Sequence, residues 1–219
     1  MKENCRTSFP LIETYMHECM GDSAHDREHV YRVLNYALYI AEDEQDVDRD
    51  LLTVACLLHD IGRTEQFLDE NVDHATCGAE KARLWLSAQG YADEFCVAVA
   101  HCIETHRYRS DKPPRSMAAK ILFDADKLDV CGAIGIARTI SYKTQMAEPL
   151  YSLDGHGGIH DGSVEEAASF LREYKYKLEK IYDKFYTKRG ASLAKKRQAA
   201  ARDFYESLLS EVRECYQLE

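Results

Sequence analysis

Apolar residues recur along most of this chain at intervals of three and four, the spacing of helices that bury one face. Between Leu51 and Leu58 the spacing closes up. Leu51, Leu52, Val54, Ala55, Leu57 and Leu58 leave no polar side, and the pattern predicts a helix buried all round, over about 48–61. His59 and Asp60 then arrive side by side, followed by Gly62. A carboxylate in such a place is costly unless it is paired or holds a cation. Gly62 suits a helix stop, where glycine tolerates positive φ. Taken alone, the His-Asp pair reads as a helix cap, and partners elsewhere in the chain decide the matter.

The same periodicity predicts a helix over 10–20 with Ser8 as its cap, ended by Gly21-Asp22, and a second over 26–42 with Asp26 as N-cap. Residues 63–73 read as a polar loop. Helices follow over 75–88, ended by Gly90, and over 93–106; residues 107–115, with Pro113-Pro114, read as a loop. Ser116 opens a helix over 117–130, continued over 134–145. Four glycines and Pro149 make 147–163 a loop, in which His156 and His160 read as flexible surface. Ser163-Val164-Glu165-Glu166 has the capping-box pattern and predicts a long helix to Tyr186, which Gly190 separates from a last helix reaching 218. No run of alternating polar and β-branched residues occurs, so the expected fold is all-α: one domain over 1–219, with core motifs at 25–138 and a helical extension over 163–218.

Composition narrows the function. A net charge of −10 argues against an extended nucleic-acid footprint, so an anionic ligand has to be held by a few local cations or a metal. The eight cysteines form no Cys-x-x-Cys pair and several lie in apolar helical runs, as reduced thiols of a cytoplasmic protein would. The N-terminus leads into no secretory h-region, and no run is long enough to span a membrane.

The residues with chemistry lie on the buried faces. His29, Val33, Tyr36 and Ile40 share one stripe of the second helix, and Ala118, Leu122 and Asp126 lie at intervals of four. Asp124 and Asp129 fall at other angles and read as solvent-facing or helix-pairing. Three helices thus each direct an imidazole or carboxylate inward: His29, His59 with Asp60, and Asp126. This nitrogen/oxygen set suits a divalent ion such as Mn, Fe, Co, Ni, Zn or Mg. Cys56 is more simply packing.

These residues and their neighbours resemble the HD superfamily of metal-dependent phosphohydrolases, through HDREHVYRV (25–33), ACLLHDIGR (55–63), HATCGAE (74–80) and DADKLDVCGAIGIAR (124–138). The helices around Thr187 to Arg202 are similar to those of small stand-alone members. The resemblance implies an all-helical bundle with a central metal held by His29, His59, Asp60 and Asp126. It also marks His74 and His106, since histidines at similar places in the HD-GYP branch complete a site of two or more metals. That branch's Gly-Tyr-Pro segment is absent here, and Arg63 stands where some nucleotidase branches carry a glutamate.

By general chemistry a divalent ion generates hydroxide near neutral pH, which Asp60, His74 or His106 could orient for attack on phosphorus. Arg32, Arg63 and Lys127, close in sequence to the motif residues, are the cations expected to hold phosphate; their alternative is a solvated surface. The expected substrate is a small phosphorylated metabolite, a nucleotide first, with no nucleic-acid or membrane partner; a homodimer is open. The alternative is a metal- or nucleotide-binding regulatory protein with little catalysis.

Overall fold

The helix at the centre of the sequence pattern, Arg49–Leu58, buries Leu52, Val54, Ala55, Cys56, Leu57 and Leu58. Asp48 caps it, its carboxylate accepting from the main-chain N–H groups of Asp50 and Leu51 at 3.0 Å. A computed structural model describes residues 3–20, 24–107, 112–163 and 168–217. In chain order the helices are α1 (Glu3–Met20), α2 (Ala24–Ile40), α3 (Arg49–Leu58), α4 (Arg63–Leu68), α5 (His74–Ala88), α6 (Asp93–Glu104), α7 (Met117–Leu128), α8 (Gly132–Gln145), α9 (Phe170–Tyr176) and α10 (Lys188–Cys215), with a 3₁₀ helix at Leu178–Asp183. Apart from an isolated bridge between Leu153 and Ile159, the described residues contain no β pairing. The fold is all-α, as expected.

The chain divides into two compact units, Met1–Asp126 and Lys127–Glu219. In the first, α3 packs against α1, α2 and α6, and α5 lies along α6. The stripe His29, Val33 and Ile40 on α2 is buried, as is the Cys96, Val99, Cys102, Ile103 face of α6. Tyr15 stacks on Trp85 at 4.4 Å between ring centroids, joining α1 to α5. In the second unit, α10 packs against α8, α9 and the 3₁₀ helix. Tyr174 stacks on Tyr205 at 4.3 Å, and the Tyr205 hydroxyl donates to the Asp161 carbonyl. Buried Asp129 is met by Arg138 at 2.9 Å. Among the described residues no helix is long and apolar enough to cross a membrane, and the described cysteines are free thiols.

Several expectations are corrected. α1 begins at Glu3, ahead of Ser8, and carries Pro10 inside; α2 begins at Ala24, so Asp26 falls within its first turn. Residues 63–68 are a helix rather than loop, and tertiary contacts hold its first turn. Glu65 pairs with Lys81 at 2.5 Å, and Thr64 donates to the Cys19 carbonyl at 2.9 Å. The long helix ending at Tyr186 is broken. Lys177 takes φ −126°, ψ −61°, and the chain tightens into the 3₁₀ helix. Phe170, Leu171, Tyr174, Leu178, Ile181 and Tyr182 stay buried across the break, which is why the apolar period runs through it unchanged. The first helical turn is capped by Ser169; the capping box at 163–166 lies mostly outside the described residues. Gly190 sits inside α10, where its N–H donates to the cap Thr187. Of the two alternatives for Asp124 and Asp129, the solvent-facing one is excluded, since both are buried, and the pairing one holds for Asp129, which meets Arg138 of α8.

Candidate metal centre

Where α3 stops, the chain turns through His59, Asp60 and Ile61 into Gly62, all buried. Gly62 has φ −93°, so the positive φ expected there is not what requires glycine. Close approach is. A Cβ at Gly62 would stand 2.3 Å from the His74 carbonyl oxygen and 2.7 Å from the Gly78 nitrogen. Two glycines thus let the end of α3 lie directly on the first turn of α5, which brings His74 to Asp60.

Asp60 is the hub. Its Oδ2 lies 3.6 Å from His29 Nε2 and 3.7 Å from His59 Nε2; its Oδ1 lies 3.5 Å from His74 Nε2 and 3.7 Å from His106 Nε2. Asp126 Oδ1, from α7, stands 3.3 Å from His29 Nε2, and the Nε2 atoms of His29 and His59 are 3.3 Å apart. Two donor groups result among the described residues, His29–His59–Asp126 and Asp60–His74–His106, the ligand atoms of each within 4.8 Å of one another. One carboxylate therefore faces both groups, an oxygen to each.

The imidazoles are held with their Nε2 lone pairs inward. His59 Nδ1–H donates to the Cys56 carbonyl at 2.7 Å and His106 Nδ1–H to the Ile103 carbonyl at 2.6 Å. Carbonyls only accept, so Nδ1 carries the proton and Nε2 is left as a donor to a cation. His74 Nδ1–H donates to the Gln66 amide oxygen at 2.7 Å, and its Nε2 is buried without a hydrogen-bond partner.

Electrostatics keep this state. Burial lowers the His59 and His106 pKa values, His106 to about 4. Burial, then the nearby Arg63 guanidinium, lowers His74 to about 3. Burial works upward on Asp60, but the Arg63 guanidinium beside it holds its carboxyl well below the usual range. Neutral imidazoles around an ionised carboxylate are the protonation states that metal ligation requires.

The residues fit a divalent ion. Contacts of 3.5–3.7 Å between Nε2 and carboxylate oxygens are too long for good hydrogen bonds. Ligand atoms each about 2.1 Å from a shared ion stand about 3–3.5 Å apart. The orphaned His74 Nε2 points to the same conclusion.

The expected cations are placed differently. Arg63 Nε meets Asp60 Oδ1 at 3.0 Å, with the side chain 43% exposed, so it sits at the mouth of the cluster. Arg32 has Glu28 at 3.9 Å, one turn back along α2. Lys127 follows Asp126 on α7 and opens the second unit. Two residues escaped the sequence reading. Gln66 had no signal, since a six-residue polar segment shows no period. Arg107 adjoins His106, much as Lys127 adjoins Asp126; its Nη1 meets Asp73 Oδ2 at 2.7 Å and its charge acts on His74.

All-helical, with a buried histidine–aspartate cluster that could hold a metal, the fold defines a class that comparisons with known proteins specify. The HD-domain family model matches residues 27–131, and that segment of the chain is an HD domain. It is 28% identical over 208 residues to YpgQ of Bacillus subtilis (strain 168), an uncharacterised protein, covering 92% of each chain. Among solved structures it is similar to a predicted HD superfamily hydrolase from an uncultured Thermotogales bacterium (TM-score 0.62, 28% identity, 93% of this chain and 92% of that one). It also shares its fold with Bacillus subtilis YpgQ in complex with ADP (TM-score 0.71, 24% identity, 94% and 96%).

Proposed function

We propose that this protein is a metal-dependent phosphohydrolase that cleaves a phosphoester or phosphoanhydride bond of a small phosphorylated metabolite, a nucleotide in the first instance. One observation carries the reading: Asp60 presents one oxygen to His29 and His59 and the other to His74 and His106. His29, His59, Asp126 and Asp60 would hold one divalent ion; Asp60, His74 and His106 would hold a second. When bound, such ions polarise a phosphoryl oxygen and lower the pKa of water enough to supply hydroxide at neutral pH. Arg63 and Arg107 then neutralise phosphate at the mouth of the site, while the buried wall of α3 and α6 limits access of bulk water. The ADP bound to YpgQ supports a nucleotide as the ligand class.

The test uses metal-stripped protein with Mn, Fe, Co, Ni, Mg or Zn restored, and follows phosphate and pyrophosphate release across nucleotides and sugar phosphates. The expected result is turnover that needs the metal and is lost in Asp60→Ala together with metal binding. Full activity in Asp60→Ala would overturn the mechanism. Nucleotide binding without product would make the protein a regulatory binder instead.

A further inference from the structure

Helix α4 connects to the site through one face. Arg63 reaches Asp60 at 3.0 Å and Gln66 reaches His74 at 2.7 Å, whereas Thr64 and Glu65 turn to Cys19 and Lys81. Phe67 is four residues after Arg63, about 40° further round the axis and about 6 Å along it. It therefore continues the face that Arg63 and Gln66 begin. Yet Phe67 is 85% exposed and its neighbour Leu68 80%, the two most exposed large apolar side chains among the described residues. Packing does not explain an aromatic ring held in water on the short helix whose Arg63 and Gln66 reach the buried site.

We infer that Phe67 is the platform on which the base of a nucleotide stacks, with the phosphates directed past Arg63 and Arg107 to the Asp60 cluster. This rests on the proposed phosphohydrolase reading and deepens it by assigning the substrate's organic part. The order along α4 is the order of the ligand: a guanidinium for phosphate at the first turn, an aromatic face one turn on, with the length of a sugar between. A ring stacks on the π-face of any base and reads no base edge, so the specificity expected is for nucleotides over inorganic polyphosphate, strongest for purines, with little discrimination of adenine from guanine. Leu68 extends the apolar rim beside the ring.

The experiment compares wild type with Phe67→Ala and Phe67→Trp in the presence of Mn. Affinity for a fluorescent adenine nucleotide is measured by titration, KM and kcat for a purine nucleoside triphosphate and for inorganic tripolyphosphate by product release, and mass in solution by light scattering. Phe67→Ala is expected to weaken nucleotide binding about tenfold, within the range of one lost base–aromatic stack. The KM for tripolyphosphate and kcat should stay within twofold, and Phe67→Trp should restore nucleotide affinity. Equal losses for nucleotide and tripolyphosphate would overturn the inference, since Phe67 would then act by holding α4. No loss for either substrate, with a drop from dimer to monomer mass, would assign the face to a second copy and likewise overturn it. Wild type that binds nucleotide through Phe67 but hydrolyses nothing would remove the hydrolase reading and leave the stacking intact. Wild type that binds no nucleotide would remove the stacking.

Discussion

Gln66 and His74 form a bonded pair in which the glutamine amide oxygen accepts the Nδ1 proton of the imidazole at 2.7 Å. This bond fixes the tautomer that leaves His74 Nε2 aimed at Asp60. Outer partners of this kind typically change metal affinity by about 10- to 100-fold when removed. Gln66→Ala is accordingly expected to weaken the Asp60–His74–His106 position by that factor while leaving the His29–His59–Asp126 position filled. Manganese titration followed by equilibrium dialysis reads the two stoichiometries separately. Gln66→Glu, which still accepts from Nδ1, should restore the weaker site. Unchanged affinity in Gln66→Ala would show that the amide has no part in orienting the ring.

Gly62→Ala is predicted to destabilise the fold severely. The added methyl would lie 2.3 Å from one main-chain atom of α5 and 2.7 Å from another, and neither can move as a flexible side chain would. Overpacking that forces backbone shifts costs about 1–3 kcal/mol, and a clash with two main-chain atoms belongs at the upper end. Urea unfolding monitored by circular dichroism gives the loss directly. A companion substitution, Gly157→Ala, meets no atom within 4 Å and is strained only through its φ of +83°. It should cost much less, and near-equal losses would contradict the close-approach argument.

Acid should destabilise the metal-free protein before it reaches the ordinary carboxylate range. Unfolded histidines take up protons near pH 6.5, whereas His106 and His74 resist protonation down to about 4 and about 3 in the fold. Between those values the unfolded chain binds more protons, so stability falls as pH drops from about 6.5 through 4. The slope is about 1.4 kcal/mol per pH unit for each ring. The depressed Asp60 carboxyl adds a further loss, in the same direction, below about pH 3.9. Denaturation midpoints in EDTA across this interval check the slope. A flat profile would mean that these rings are protonated in the folded state.

Arg63 and Arg107 should separate binding from the state of the carboxylate. On the proposed function, Arg107→Ala removes a charge that acts on His74 and is not the one bonded to Asp60, and is expected to raise KM for a polyphosphate substrate about tenfold with kcat nearly constant. Because Arg107 also pairs with Asp73, the cap of α5, a thermal melt is run alongside. Arg63→Ala should raise KM and also lower kcat, since its Nε touches the hub carboxylate. Identical kinetic effects of the two changes would remove this division of roles.

How much of this was legible in the residues differs from one to the next. His29, the His59-Asp60 pair and Asp126 could be read because each follows an apolar stripe with a helical period, and periodicity reports directly which side of a helix is buried. The all-α class followed from the same signal, as did most of the helices of the first unit. Local signals misled where the backbone changes type without changing its buried face. The break at Lys177 is such a place, since 3₁₀ and α turns can bury the same residues. Only the tertiary structure decided that Asp60 faces two groups rather than one, that Gln66 orients His74, and that Gly62 is required by contact rather than by φ. Those facts are distances between elements that lie apart in the chain. Spacing along one helix determines which way a side chain points, and it carries no information about what another helix brings to meet it.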